Sequence, residues 1–185
     1  MPVSERTFLQ VALEDPEGKW ELHCGQLRGK PAMTYAHNQL AWELALQLGQ
    51  QLDRRLFEVR LGMGHVRRSA ESYYIPDVFV VPIELTEPLR GRADVLEAYD
   101  APLPLVVEVW SPSTGAYDVE TKLAEYQRRG DLEIWLIHPY ERTLTAWRRA
   151  PDPPQADYGE LLFRDGVVRP IALPGVAIGL DTLFA

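Results

Sequence analysis

The chain has 185 residues, 46% of them hydrophobic, which suffices for one good core and reads most simply as a single domain over residues 1–185. A formal net charge of −8 excludes a generic nucleic-acid coat protein, which needs a surplus of basic side chains, but leaves room for an enzyme that gathers acids around a cation. With no run of about 18 apolar residues and no charged-then-apolar leader, a soluble, cytoplasmic protein is expected.

In chain order, Ser4 to Leu13 reads as a short helix and Trp20 to Leu27 as a hairpin, with turn signals at Glu17-Gly18 and Cys24-Gly25. Between Tyr35 and Leu52 the residues Leu40, Leu44, Leu48 and Leu52, with Ala41 and Ala45 beside them, form the stripe of an amphipathic helix. Strands follow at Leu56 to Met63, His65 to Arg68 and Tyr74 to Val81. Ile83 to Pro102, acidic and proline-bearing, reads as a long connection with a helical turn near Asp94 to Tyr99. Pro104 to Trp110 is a buried strand, Tyr117 to Arg129 a helix closed by Gly130, and Leu132 to Ile137 a strand parallel to the first. Antiparallel strands are expected at Thr143 to Arg148 and Leu161 to Arg164, with an exposed loop at Pro151-Asp152-Pro153-Pro154 and a two-residue hairpin turn at Asp165-Gly166. The pattern is α/β with mixed pairing: a mixed central sheet flanked by helices, plus additional antiparallel strands.

The chemistry is concentrated around Glu108. Val106-Val107-Glu108-Val109-Trp110 has the composition of a strand buried on both faces, where an unpaired carboxylate would cost several kcal/mol. A divalent cation would make that charge tolerable, and Asp77, which opens the apolar run Val78-Phe79-Val80-Val81, offers a second acid for a metal clamp. Asp118 and Lys122 stand four apart on the following helix and share a face. Alone they read as a surface pair worth about 0.3–0.5 kcal/mol. Lys122 is one of three lysines, however, with Lys19 and Lys30, and the crossover folds its helix back over the sheet toward the carboxylates.

Other residues invite blander readings. Cys24 cannot form an intramolecular disulfide and reads as a small buried hydrophobe. His23, His37, His65 and His138 lack zinc-motif spacing, and a capping or surface role suits His37 at the start of the long helix. Tyr126, four residues after Lys122, is expected to pack and hold the amine in place. Ser111, Ser113 and Thr114 have no glycine-framed elbow and read as turn and N-cap residues, while Gly62-Met63-Gly64 is too short for a phosphate loop. The arginine pairs at 54–55, 67–68, 128–129 and 148–149 read as solvated element ends unless they converge on one face.

Ile75-Pro76-Asp77-Val78, then Glu108-Val109-Trp110-Ser111-Pro112-Ser113-Thr114, then Asp118 with Lys122 and Tyr126, resembles the Uma2 family of restriction-endonuclease-like proteins in the PD-(D/E)XK nuclease superfamily. The likeness extends to Trp20-Glu21-Leu22, His37-Asn38, Glu133-Ile134-Trp135-Leu136 and Leu173-Pro174-Gly175. Where a standard superfamily member has lysine two residues after the acid, this chain has Trp110; Lys122 matches the position to which Uma2-like sequences moved the lysine. The resemblance implies a restriction-endonuclease-like fold, DNA as substrate, and Asp77, Glu108 and the Val109 carbonyl as ligands to Mg²⁺ or Mn²⁺. It implies Lys122 as the group that positions the nucleophile or neutralises charge, and Glu21 as a further, water-mediated acid. One or two metals remain open.

A second reading also stays open: a catalytically inactive nuclease-fold binding or assembly module in which Glu108 and Lys122 form a structural ion pair. Five tryptophans and the apolar tail Val176 to Phe184 leave room for a homo-oligomer, such as a dimer.

Overall fold

The computed structural model describes residues 2–150 and 157–185; the predicted Pro151-Asp152-Pro153-Pro154 loop lies outside them. Helix α1 (Glu5–Glu14) begins where Ser4 accepts a hydrogen bond from the Thr7 amide, which satisfies one of the orphan N–H groups of its first turn. The hairpin of β1 (Trp20–His23) and β2 (Gln26–Gly29) turns on Cys24 and Gly25, at φ of 48° and 75°. Two left-handed residues match the twist of the flanking strands. They also put Cys24 at an exposed tip, against the expectation of a buried hydrophobe. Helix α2 (Tyr35–Gln51) forms as its leucine stripe predicts and buries Leu40, Ala41, Leu44 and Leu48.

The first departure in chain path follows β3 (Phe57–Leu61) and β4 (His65–Ser69), where one predicted strand becomes two, β5 (Ser72–Tyr74) and β6 (Val78–Pro82). Pro76 has no N–H to give a ladder, and the Ile75 amide is taken by the Glu21 side chain at 2.8 Å. At Ile75-Pro76-Asp77 the chain therefore leaves one sheet and enters another. The connection after β6 also differs from expectation. Its helical turn is α3 (Ile83–Thr86), and the stretch predicted to be helical contains β7 (Ala98–Tyr99), paired parallel to His65 and Val66 of β4.

Strand β8 (Leu105–Val109) leads into α4 (Gly115–Tyr117), a single π turn at Asp118–Lys122, and α5 (Leu123–Arg129), closed by Gly130 at φ 82°. The crossover returns to β9 (Glu133–His138), parallel to β8 as expected; β10 (Thr143–Arg149) and β11 (Tyr158–Phe163) then add antiparallel strands. The predicted Asp165-Gly166 hairpin does not form. The Gly166 carbonyl accepts from the Leu180 amide at 2.9 Å, and β12 (Val167–Val168) pairs with β13 (Ile178–Gly179) rather than folding back on β11. A final turn, α6 (Leu180–Leu183), follows.

The large sheet runs β11-β10-β9-β8-β6-β3 and the small one β2-β1-β5-β4-β7, so the fold is mixed α/β as the element pattern predicts. One face of the large sheet packs on α2 and on Val176, Ile178, Leu180, Leu183 and Phe184. The apolar tail is thus core and is not available as an oligomer face. The other face packs Phe79, Val81, Val106 and Ile134 against Val66 and Tyr74 of the small sheet and Tyr126 of α5. The arginine pairs do not form one common basic face: 67–68 and 128–129 meet at Glu125, and the other two pairs lie apart from them with partners of their own. Arg68 and Arg128 both bind Glu125, Arg67 binds Glu5 and Asp100, Arg129 binds buried Asp131, Arg148 binds Glu133, and Arg55 binds Asp53. No helix among the described residues is long and apolar enough to cross a membrane.

Candidate functional site

Asp77 lies at the switch between the sheets and is 4% exposed. Its Oδ1 accepts from the Lys30 ammonium at 2.8 Å, and its Oδ2 accepts from His37 Nε2 at 2.9 Å and from the Val109 amide at 2.8 Å. A carboxylate can only accept here, so Nε2 carries the proton. Burial pushes the Asp77 carboxyl upward, but the Lys30 charge and the His37 hydrogen bond prevail and hold it well below the ordinary carboxylate range. The Lys30 ammonium is braced by the Ile75 carbonyl at 2.6 Å, and although burial works against its charge, Asp77 with Glu108 and Glu21 together keep its affinity for the proton above normal.

Glu108, on β8, extends into the space under α5. Its Oε1 accepts from the Tyr126 hydroxyl at 2.5 Å and the Lys122 ammonium at 3.2 Å. Lys122 also lies 2.9 Å from Glu21 Oε1 and 3.3 Å from Asp118 Oδ1. The π turn sets Asp118 and Lys122 at its two ends, so the pair predicted to share a helix face does so inside the protein rather than on the surface. Burial alone would drive the Lys122 proton off; Glu108, Glu21 and Asp118 more than reverse that and keep the amine charged. Burial raises Glu108 well above its normal range, and the neighbouring Asp118 and Asp77 carboxylates add to what the pull of Lys122 does not offset.

Counting lone pairs shows what capacity is left. Glu108 Oε1 and Asp77 Oδ2 each accept two hydrogen bonds, whereas Asp77 Oδ1 accepts one and Glu21 Oε1 accepts one, from the Ile75 amide, beside its ion-pair contact with Lys122. Glu108 Oε2 is buried with no hydrogen-bond partner, and Asp118 Oδ1 has only its ion-pair contact with Lys122. Glu108 and Asp118 line a void of about 10 Å³, near the lower limit for one water molecule. Four carboxylates (Glu21, Asp77, Glu108, Asp118) face two ammonium groups (Lys30, Lys122), a formal excess of two negative charges. The Val109 amide points at Asp77; in an extended residue the carbonyl points the same way, so it too is directed to the Asp77 side. No three His, Cys, Asp or Glu side chains among the described residues converge into a ready-made cage, because the lysines stand between the acids. The free oxygens and the charge excess nevertheless suit a hard divalent cation.

A cleft of about 690 Å³ leads from the surface to Asp77, walled by Lys19, Lys30, Met33, His37 and Trp42. The Trp110 indole stacks on His138 with ring centres 4.3 Å apart. A side chain at Gly115 would put its Cβ 2.0 Å from Trp110 Nε1. The family model for Uma2, described as a putative restriction endonuclease, matches residues 6–181. This chain belongs to the Uma2 family. The Uma2 chain is similar in fold to a solved putative nuclease of DUF820 from Anabaena variabilis ATCC 29413, with a TM-score of 0.77 at 19% identity over 99% of this chain and 98% of that one. No curated protein matches it.

In this Uma2 chain, Asp77, Glu108, Lys122 and Glu21, widely separated in sequence, come together in one buried cluster. Two members were missed. Lys30 sits in no motif, although a residue type used three times in the whole chain is itself a signal. His37 is 3% exposed and bonds Asp77, against the expected capping or surface role; Thr34 is the cap, accepting from the His37 amide at 3.3 Å. Tyr126 holds Glu108 rather than the amine. Ser111 bonds Ser113 and Thr114 at 3.1 and 2.9 Å within the turn, as expected of turn residues, but Thr114 makes no side-chain cap.

Proposed function

We propose that this protein is a metal-dependent endonuclease that hydrolyses DNA phosphodiester bonds. The observation that carries the reading is Glu108 Oε2, a buried carboxylate oxygen with no donor in a cluster whose formal charge is two units too negative. Asp77 Oδ1, Glu108 Oε2 and the Val109 carbonyl are the groups assigned to Mg²⁺ or Mn²⁺, with Glu21 as a further acid reached through water. The bound cation would supply Lewis acidity and neutralise charge at the scissile phosphate. His37 and the Val109 amide fix the rotamer of Asp77, and the Tyr126 hydroxyl fixes that of Glu108. Lys122, held by Glu21 and Glu108, provides a preorganised positive charge that positions the attacking water and opposes the charge growing on phosphorus. Lys19, exposed on the cleft wall, would draw the DNA backbone toward Asp77.

Supercoiled-plasmid nicking tests this directly. The wild type nicks with Mg²⁺ or Mn²⁺ and stops with a chelator, and Glu108→Gln or Asp77→Asn lowers the rate at least about a hundredfold. Equal, metal-independent background from wild type and variants ends the proposal. A second reading, an inactive nuclease-fold binding or assembly module, is favoured by the lysines standing between the acids. Under it, Mn²⁺ leaves the melting temperature unchanged, whereas a cation that prefers the native state raises it.

A further inference from the structure

We propose that two copies of this chain pair antiparallel through the outer edge of β3, joining their large sheets across a two-fold axis. β3 is the last strand of that sheet and has no partner on its outer side among the described residues. Its ladder with β6 fixes which groups are free. The Gly62 amide bonds the Asp77 carbonyl and the Ile83 amide bonds the Leu56 carbonyl, so the even-numbered residues turn their main-chain groups inward. Phe57, Val59 and Leu61 turn theirs outward, except that the Phe57 amide is already bonded to the Asp53 carbonyl.

The sequence of this edge, Phe57-Glu58-Val59-Arg60-Leu61, is complementary to itself when reversed. Antiparallel pairing centred on Val59 sets Val59 against Val59, Phe57 against Leu61 and Glu58 against Arg60 on both sides of the axis. Each Val59 amide then meets the other Val59 carbonyl, and each Leu61 amide meets the free Phe57 carbonyl, so every outward donor left over from the monomer finds an acceptor. Parallel pairing in register would set Glu58 beside Glu58 and Arg60 beside Arg60, which like-charge repulsion disfavours. Among the described residues the other free edge of the large sheet is β11, which carries Glu160 and no basic residue and so lacks this complementarity.

The apolar face follows the same symmetry. Phe57, Val59 and Leu61 line a groove with Trp42, Ala45 and Leu46 of α2, and Trp42 and Leu46 are 58% and 41% exposed. A second β3 would lay its own Phe57, Val59 and Leu61 along the open side of that groove and cover it. The contact is isologous and closes at two copies.

Sedimentation equilibrium on the full chain tests it, with a charge swap as the decisive arm. The wild type is expected at twice the 21.0 kDa chain mass. Glu58→Arg and Arg60→Glu, each alone, place like charges across the axis and should sediment as monomers; mixed, they restore opposite pairs and should form a heterodimer. Val59→Pro removes an outward N–H and no internal ladder bond, and should be monomeric with an unchanged circular dichroism spectrum. A monomeric wild type overturns the proposal, as does a dimer that survives Val59→Pro or a mixed sample that stays at monomer mass.

Discussion

Lys30 and Asp77, 47 residues apart, form a buried ion pair at 2.8 Å that ties the end of the first hairpin to the start of a central strand. The Asp77 carboxyl is held below its ordinary range, so its contribution to stability is present above the unfolded pKa of about 3.9 and is lost as pH falls toward the folded value. Lys30→Met removes the main attraction, so its acid-unfolding midpoint should move to higher pH than that of wild type. Urea unfolding near neutral pH should show a loss of about 3 kcal/mol, the low end for breaking a buried pair, because His37 and the Val109 amide still serve Asp77. An unchanged acid midpoint would discard this account of Lys30.

Lys122 is bound by three acids, and removing it leaves them to repel one another. Lys122→Met should cost about 3–5 kcal/mol, and Lys122→Met combined with Glu108→Leu should recover part of it. Equilibrium urea titration of both variants checks the pair. A double variant less stable than the sum of its single changes would show that the cluster is not organised around this contact.

Glu108 has the opposite pH signature from Asp77. Its folded pKa lies above the unfolded value near 4.3, so the stability linked to its proton is present below that pH and is lost as pH rises through the folded value. Glu108→Gln cannot ionise. In chelator, its melting temperature relative to wild type should climb from pH 5 to pH 8, by about 2–4 °C for each kcal/mol regained. With Mn²⁺ the wild type should recover and the variant should not. Parallel melting curves across that range would refute the raised Glu108 pKa.

Gly115 and Trp110 form a steric pair. Gly115→Ala brings its methyl group 2.0 Å from the indole Nε1, well inside contact distance, and should cost about 1–3 kcal/mol. Trp110→Ala in the same chain makes room, so the double variant should be less destabilised than the two single changes summed. Thermal melts of the three variants decide it.

Legibility in the sequence followed locality. The leucine stripe of α2, the β8–α5–β9 crossover and Gly130 as a helix stop could be read because periodicity and a positive-φ glycine are local signals. Asp77, Glu108 and Lys122 were visible because charge inside apolar runs is costly and needs a reason. The break at Pro76, β7, and the β12–β13 pairing were not, since each depends on which distant strand supplies the hydrogen bonds. For the same reason Lys30 and His37 escaped notice: nothing near them in the chain indicates Asp77.

The switch at Ile75-Pro76-Asp77 has a dynamic corollary. Glu21 and Lys30 come from the small sheet or its edge, Asp77 and Glu108 from the large one, and Lys122 from the helix against it. A breathing motion that parts these layers would dismantle the charge cluster in one event while leaving each sheet's own ladder intact. Amide exchange at Ile75 and Val109, whose N–H groups are held by Glu21 and Asp77, would register that opening before any strand frays.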